Sequence, residues 1–109
     1  MFGTSGDMSE WVLSEKAAED LIEIYVYTYR EFGPRQAETY AGGIEERFSN
    51  LAGSPSIGRA LIGIAGDYRQ SVYGRHVIVY RAQEKGIFIV RVLHGRRDIT
   101  RILQSDIDE

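Results

Sequence analysis

An α+β fold is what this sequence predicts: an N-terminal strand, a helical hairpin, then a three-stranded antiparallel meander. Three observations carry that prediction. Apolar residues recur at steps of three and four across residues 15–52. Three β-rich runs, each closed by a turn signal, follow between residues 67 and 94. The two blocks are segregated along the chain, which sets the helices on one face of a mainly antiparallel sheet. With 109 residues, the chain has the length of one domain.

Residues 1–7, MFGTSGD, are rich in Gly, Ser and Thr and precede a second methionine, Met8. They read as a disordered or vector-derived leader, with a single domain expected over residues 8–104. Glu10 to Leu13 contains Trp11 and Val12 and reads as the first strand. Ser14 suits a helix N-cap, and Glu15 brings negative charge to the first turn. Ala18, Leu21, Tyr25, Thr28 and Phe32 then form an apolar stripe, widened by Ile22, Ile24 and Tyr29. Gly33-Pro34 closes that helix and opens the next, since glycine accepts the left-handed C-terminal position and proline the first helical one. Ala37, Ala41, Ile44, Phe48 and Leu51 mark the second helix. Within it lie Gly42 and Gly43, each costing about 1 kcal/mol relative to alanine. Close approach of the two helices, or tolerance at an exposed position, accounts for them.

Gly53-Ser54-Pro55-Ser56 breaks the helix, and residues 57–66 read as a loop with one helical turn or a short extended piece. The strands of the meander are Asp67 to Tyr73, Arg75 to Ala82 and Ile87 to His94. In the last run, Phe88, Val90 and Val92 alternate with Ile87, Ile89, Arg91 and Leu93. One face packs on the hairpin. The other is apolar with an embedded arginine and calls for a cover. Asp98 to Leu103 is read as one short helical turn, and residues 105–109 as a frayed acidic tail.

Charge is unevenly distributed. Residues 1–54 carry four basic and ten acidic groups, a net of −6. Residues 55–104 carry nine basic and three acidic, a net of +6. Arginine outnumbers lysine 11 to 2, and its planar fork suits carboxylate and phosphate. Such a segment is either a salt-bridged sheet surface or a basic face for an acidic protein or a nucleic acid.

The absence of cysteine excludes disulfides, thiolate catalysis and cysteine zinc sites, and fits a reducing cytoplasm. Apolar runs of four residues or fewer are too short to span a membrane as a helix. No nucleophile elbow, phosphate-binding loop or metal-ligand spacing is present, so no catalytic residue, metal or cofactor is expected. His76 and His94 read as ordinary sheet histidines, with general-base work the alternative. Tyr68, Tyr73 and Tyr80 read as packing groups, with base stacking beside arginine the alternative.

The segments LSEKAAEDLIEIYVYTYREFGPRQAETY at 13–40 and YGRHVIVYRAQEKGIFIVRVLHGRRD at 73–98 resemble the RelE/ParE superfamily of bacterial type II toxins. VLHGRRD at 92–98, after VYR at 79–81, is the most specific part and resembles the ParE branch. The likeness runs from Trp11 to about Leu103. RelE-like members are ribosome-dependent mRNA endonucleases that use sheet lysines and arginines and a tyrosine near the C-terminus. Here IGRALIGIAGDYR before the meander has no lysine, and Ile102 and Leu103 stand where that tyrosine belongs. Only Arg96 and Arg97 remain near an arginine those nucleases use. The resemblance therefore implies a ParE-like poison of DNA gyrase rather than an enzyme. It implies a ParD-like antitoxin partner whose acidic disordered tail folds over the toxin, in a toxin–antitoxin hetero-oligomer in the cytoplasm. Arg69, Arg81, Arg91, His94, Arg96 and Arg97 are the expected antitoxin- or target-binding residues. An mRNA endonuclease and a non-toxic family member are the alternatives.

Overall fold

The computed structural model describes residues 10–108; the leader expected at residues 1–7 lies outside them. The chain runs through β1 (Glu10–Leu13), α1 (Glu15–Phe32), α2 (Pro34–Gly53), a short 3-10 turn at Pro55–Ile57, β2 (Arg59–Ala60), β3 (Arg69–Tyr73), β4 (His76–Gln83), β5 (Gly86–His94) and α3 (Ile99–Asp108). The architecture is α+β, as expected. The strand order is β1-β5-β4-β3-β2. The meander β3-β4-β5 is antiparallel, β2 adds a short antiparallel edge, and β1 lies parallel to β5.

Local chemistry explains the hairpin. The Ser14 hydroxyl oxygen accepts from the Ala17 N–H at 2.9 Å, capping α1. Gly33, at φ 91°, is the whole connection between the helices, and its N–H donates to the Tyr29 carbonyl at 2.8 Å. Pro34 follows at the first position of α2. Of the two readings of Gly42 and Gly43, tolerance at an exposed position holds for Gly42, and neither glycine serves a close approach of the helices. Gly42 faces open space, whereas Gly43 leaves room for the Tyr73 ring of β3, whose hydroxyl a Cβ would strike.

One core lies between the hairpin and the sheet, with Trp11, Ile44, Phe48, Leu51, Ile78, Tyr80, Ile87, Ile89 and Val92 at its centre. A register shift at Val79/Tyr80, where Val79 pairs with Arg91 and Tyr80 with Ile89, leaves Val90 as an extra residue in β5. This bulge corrects the simple alternation expected of β5. Ile87, Ile89 and Val92 share the hairpin side, while Val90 joins a second cluster on the other face.

That second face is covered by the chain itself. Leu61, Ile64, Tyr68, Ile99 and Leu103 pack with Val77, Val79 and Val90. The expected fraying from residue 105 is also corrected, because α3 continues to Asp108. Asp106 gives the reason: one carboxylate oxygen accepts from Lys16 Nζ and the other from Arg91 Nη1, each at 2.9 Å.

The edge of β5 changes hands along its length. β1 pairs with Gly86 to Ile89. Gly86, at φ 146°, lets the strands meet there, since a Cβ would collide with the Glu10 carbonyl. Beyond Ile89, the N-terminal part of α1 takes over. The Ser14 N–H donates to the Ile89 carbonyl at 3.0 Å and the Ser14 hydroxyl to the Val90 carbonyl at 2.7 Å. Asp20 Oδ2 accepts from the Val92 N–H at 2.9 Å.

Candidate functional site

A groove of about 520 Å³ opens between α1 and the end of the sheet where β4 begins and β5 finishes. Glu23, Ile24, Tyr27 and Phe32 of α1 form one wall, and Gln36 and Tyr40 of α2 extend it. His76, Val92, Leu93 and His94 form the floor, with Arg75 and Arg97 from the adjoining turns at its end. Tyr27 is 60% exposed and Phe32 64% exposed, so this wall offers aromatic surface without a partner among the described residues.

Register creates the floor. His76 and His94 are direct partners across β4 and β5, and their rings meet edge-on with centroids 5.5 Å apart. The Tyr40 hydroxyl fixes the β3–β4 turn: it donates to the Tyr73 carbonyl at 3.1 Å and accepts from the Arg75 N–H at 3.2 Å. It also meets His76 Nδ1 at 2.8 Å. Because that hydroxyl proton serves Tyr73, the matching tautomer of His76 carries its proton on Nδ1. Burial pushes the Tyr40 phenol above its ordinary value and keeps it protonated. His76 is pulled below the ordinary imidazole value, first by burial and then by His94, against an opposing contribution from Asp20. His94 Nδ1 accepts from the Arg96 N–H at 3.1 Å, which puts its proton on Nε2.

The six expected binding residues separate into four settings. His94 and Arg97 line the groove, and Arg96 adjoins it through its bond to His94. Arg69 holds the 55–58 segment, donating from Nη1 to the Gly58 carbonyl at 2.8 Å. Arg81 lies over the Phe88 ring at 5.0 Å, toward the other end of β5. Arg91 faces an internal demand. Its Nε and Nη2 donate to the two oxygens of Asp20 at 2.8 and 2.9 Å, and Nη1 to Asp106 at 2.9 Å. Those bonds, Asp20's foremost, hold the guanidinium charged well above its ordinary value despite burial. Burial pushes the Asp106 carboxyl up, but Lys16 and Arg91 outweigh it and set it below the usual value.

Sequence reading missed Arg75, Tyr27, Phe32, Gln36 and Tyr40 as groove residues. A signal for Arg75 existed: the tight turn at Gly74-Arg75 and the pairing of two strands place it beside the terminus of β5. Neither Arg75 nor Arg97 joins an ion pair among the described residues. No group of three or more His, Asp or Glu able to hold a metal occurs among them either. No described helix is long and apolar enough to cross a membrane. With aromatic and aliphatic side chains along one wall and two unpaired guanidinium groups at its end, the groove suits a peptide bearing apolar anchors and a carboxylate.

Residues 12–99 match the family described as the ParE toxin of the type II toxin–antitoxin system parDE. The chain belongs to that family. Toxin ParE1 of Mycobacterium tuberculosis is 40% identical over 96 residues, which cover 87% of this chain and 98% of the relative. Toxin ParE1 of Caulobacter vibrioides is 32% identical over 87 residues, covering 80% and 90%. Among solved structures, a chain of the chromosomal ParDE system from P. aeruginosa has the same fold, with a TM-score of 0.66 at 24% identity. That match covers 80% of this chain and 96% of the other. Membership of the ParE family agrees with the α+β layout, and the matched span ends just inside α3, so most of that helix lies beyond it.

Proposed function

We propose that this chain is the toxin of a type II toxin–antitoxin pair, that it inhibits DNA gyrase without catalysing a reaction, and that a ParD-like antitoxin neutralises it. Membership of the ParE family is the observation that carries the reading. The groove supplies its physical counterpart. An antitoxin segment that is flexible when free can set apolar side chains against Ile24, Tyr27 and Phe32 and a carboxylate between Arg75 and Arg97. His94, Arg96 and Arg97 belong to this surface. Arg69 and Arg81 lie outside the groove on opposite faces of the sheet; each is directed at the antitoxin or gyrase, and Arg91 supports the groove from within the fold. Gyrase and the antitoxin place the encounter in the cytoplasm.

A supercoiling assay with purified gyrase tests the reading. The expected result is loss of supercoiling with accumulation of cleaved, protein-linked DNA, reversed by the antitoxin. Arg81→Ala tests the part given to Arg81: antitoxin affinity and growth arrest both at wild-type level remove it from the binding residues. A second reading, mRNA cleavage on the ribosome, draws support from the adjacent imidazoles of His76 and His94 beside Arg75 and Arg97, a set able to move protons and meet phosphate charge. Unimpaired supercoiling by gyrase together with cut mRNA would establish that reading instead.

A further inference from the structure

Helix α1 has a second apolar stripe that the fold does not use. Its inner side packs Ala17, Leu21 and Ile24 on the core. On its outer side Ile22 is 64% exposed, Val26 39% and Tyr29 49%. Their spacing of four and then three residues is that of a coiled-coil seam, which puts the three side chains in one row. Thr28 and Asp20, which are buried, fall outside that row. A helix with apolar rows on two sides is suited to packing against two neighbours.

The charges beside this row specify the second neighbour. Glu23 follows Ile22 and Arg30 follows Tyr29, so both occupy the same flank of the seam, one helical repeat apart. Both are exposed, and neither forms an ion pair among the described residues. When two such helices run antiparallel about a two-fold axis near Val26, Glu23 of each copy meets Arg30 of the other. The pairing occurs twice by symmetry. Parallel helices would set this flank against the partner's opposite one, so Glu23 and Arg30 would not meet. We infer that α1 is a self-association surface, and that two copies of this chain pair through antiparallel α1 helices along Ile22, Val26 and Tyr29.

The affinity is modest. α1 has 18 residues, or roughly 27 Å of helix. A seam of that length falls short of the roughly 1,200 Å² at which stable interfaces begin. Pairing through so short a seam is weak and shows only at high protein concentration.

Sedimentation equilibrium on the full chain, from about 1 µM to about 1 mM, tests the inference. A concentration-dependent shift from monomer to dimer is expected. Glu23→Arg or Arg30→Glu turns two attractions into two repulsions and should weaken the dimer by about tenfold. The double swap, Glu23→Arg with Arg30→Glu, should restore it, and Val26→Asp should abolish it. All these positions are exposed, so far-ultraviolet circular dichroism should be unchanged. A monomer at every concentration overturns the inference. So does a dimer that ignores the charge reversals, or a double swap without rescue. Because Glu23 also stands on the groove rim, the readout is self-association and not antitoxin binding.

Discussion

Arg91 sits between two carboxylates near the end of β5, whereas Arg97, just past that strand, faces an open groove. The two belong to one strongly basic segment and differ in what surrounds them. Around Arg91, Asp20 of α1 and Asp106 of α3 accept all three of its bonds, and its side chain is 14% exposed. It ties the sheet to helices that precede and follow it. Around Arg97 the neighbours are imidazoles, aromatic rings and a second unpaired arginine, Arg75. A run of positive charge is therefore no map of a binding surface. Arg91, which meets two carboxylates, holds the fold, whereas Arg75 and Arg97, which join no ion pair among the described residues, are the ones that the proposed function offers to a ligand's charge.

The comparison breaks most readily at Arg91. Replacing it with methionine strands Asp20, which is 8% exposed, and should cost about 3–5 kcal/mol, read from the urea midpoint. An unchanged midpoint would mean that Arg91 is as free as Arg97. The reciprocal change, Arg75→Ala with Arg97→Ala, should leave stability within about 0.5 kcal/mol. It should weaken antitoxin binding by about tenfold per arginine, measured by calorimetry. Loss of folding with intact binding would invert the assignment. Asp106→Asn keeps the shape of α3 and removes a charge from the network. A cost of about 1–2 kcal/mol is expected, and hydrogen exchange in α3 should rise; protection at the wild-type level would detach α3 from Arg91.

The smallest effect is pH dependence. His76 titrates below its ordinary value when folded, so on acidification the unfolded chain takes up this proton first. Its contribution is whole above about pH 6.5, falls as pH drops below that, and levels off once folded His76 is itself protonated. Melting temperature should therefore decline modestly from about pH 7.5 to about pH 5.5, and less so in His76→Gln. Asp106 stays ionised across this window, because its own value is depressed. Identical profiles for the two proteins would separate His76 from the acid response.

Much of this layout was legible from local chemistry. Ser14, Gly33 and Pro34 announce the hairpin, and Gly74 and Gly95 bound strands whose periodicity is clear. The parallel pairing of β1 with β5 was not, because it joins residues remote in sequence through backbone bonds that leave no pattern in either strand. The end of α3 was hidden for a related reason. Asp106 and Asp108 look like a solvated tail until Lys16 and Arg91 arrive from other elements. For the site, His94 and Arg97 could be named from their segment. Tyr27, Phe32 and Tyr40 could not, since they sit on helices whose apolar periodicity does not tell a core-facing residue from a groove-facing one.

The handover at the edge of β5 has a further consequence. Past Ile89 the strand has no neighbouring strand on that side, yet its Val90 carbonyl and Val92 amide are already bonded by Ser14 and Asp20. The valine-rich stretch thus offers no ready template for strand addition, the step by which exposed sheet edges seed aggregates. Protection comes from side chains of a helix rather than from a charged or shortened strand. A Ser14→Ala chain should thus fail first by clumping at high concentration, before it fails by unfolding.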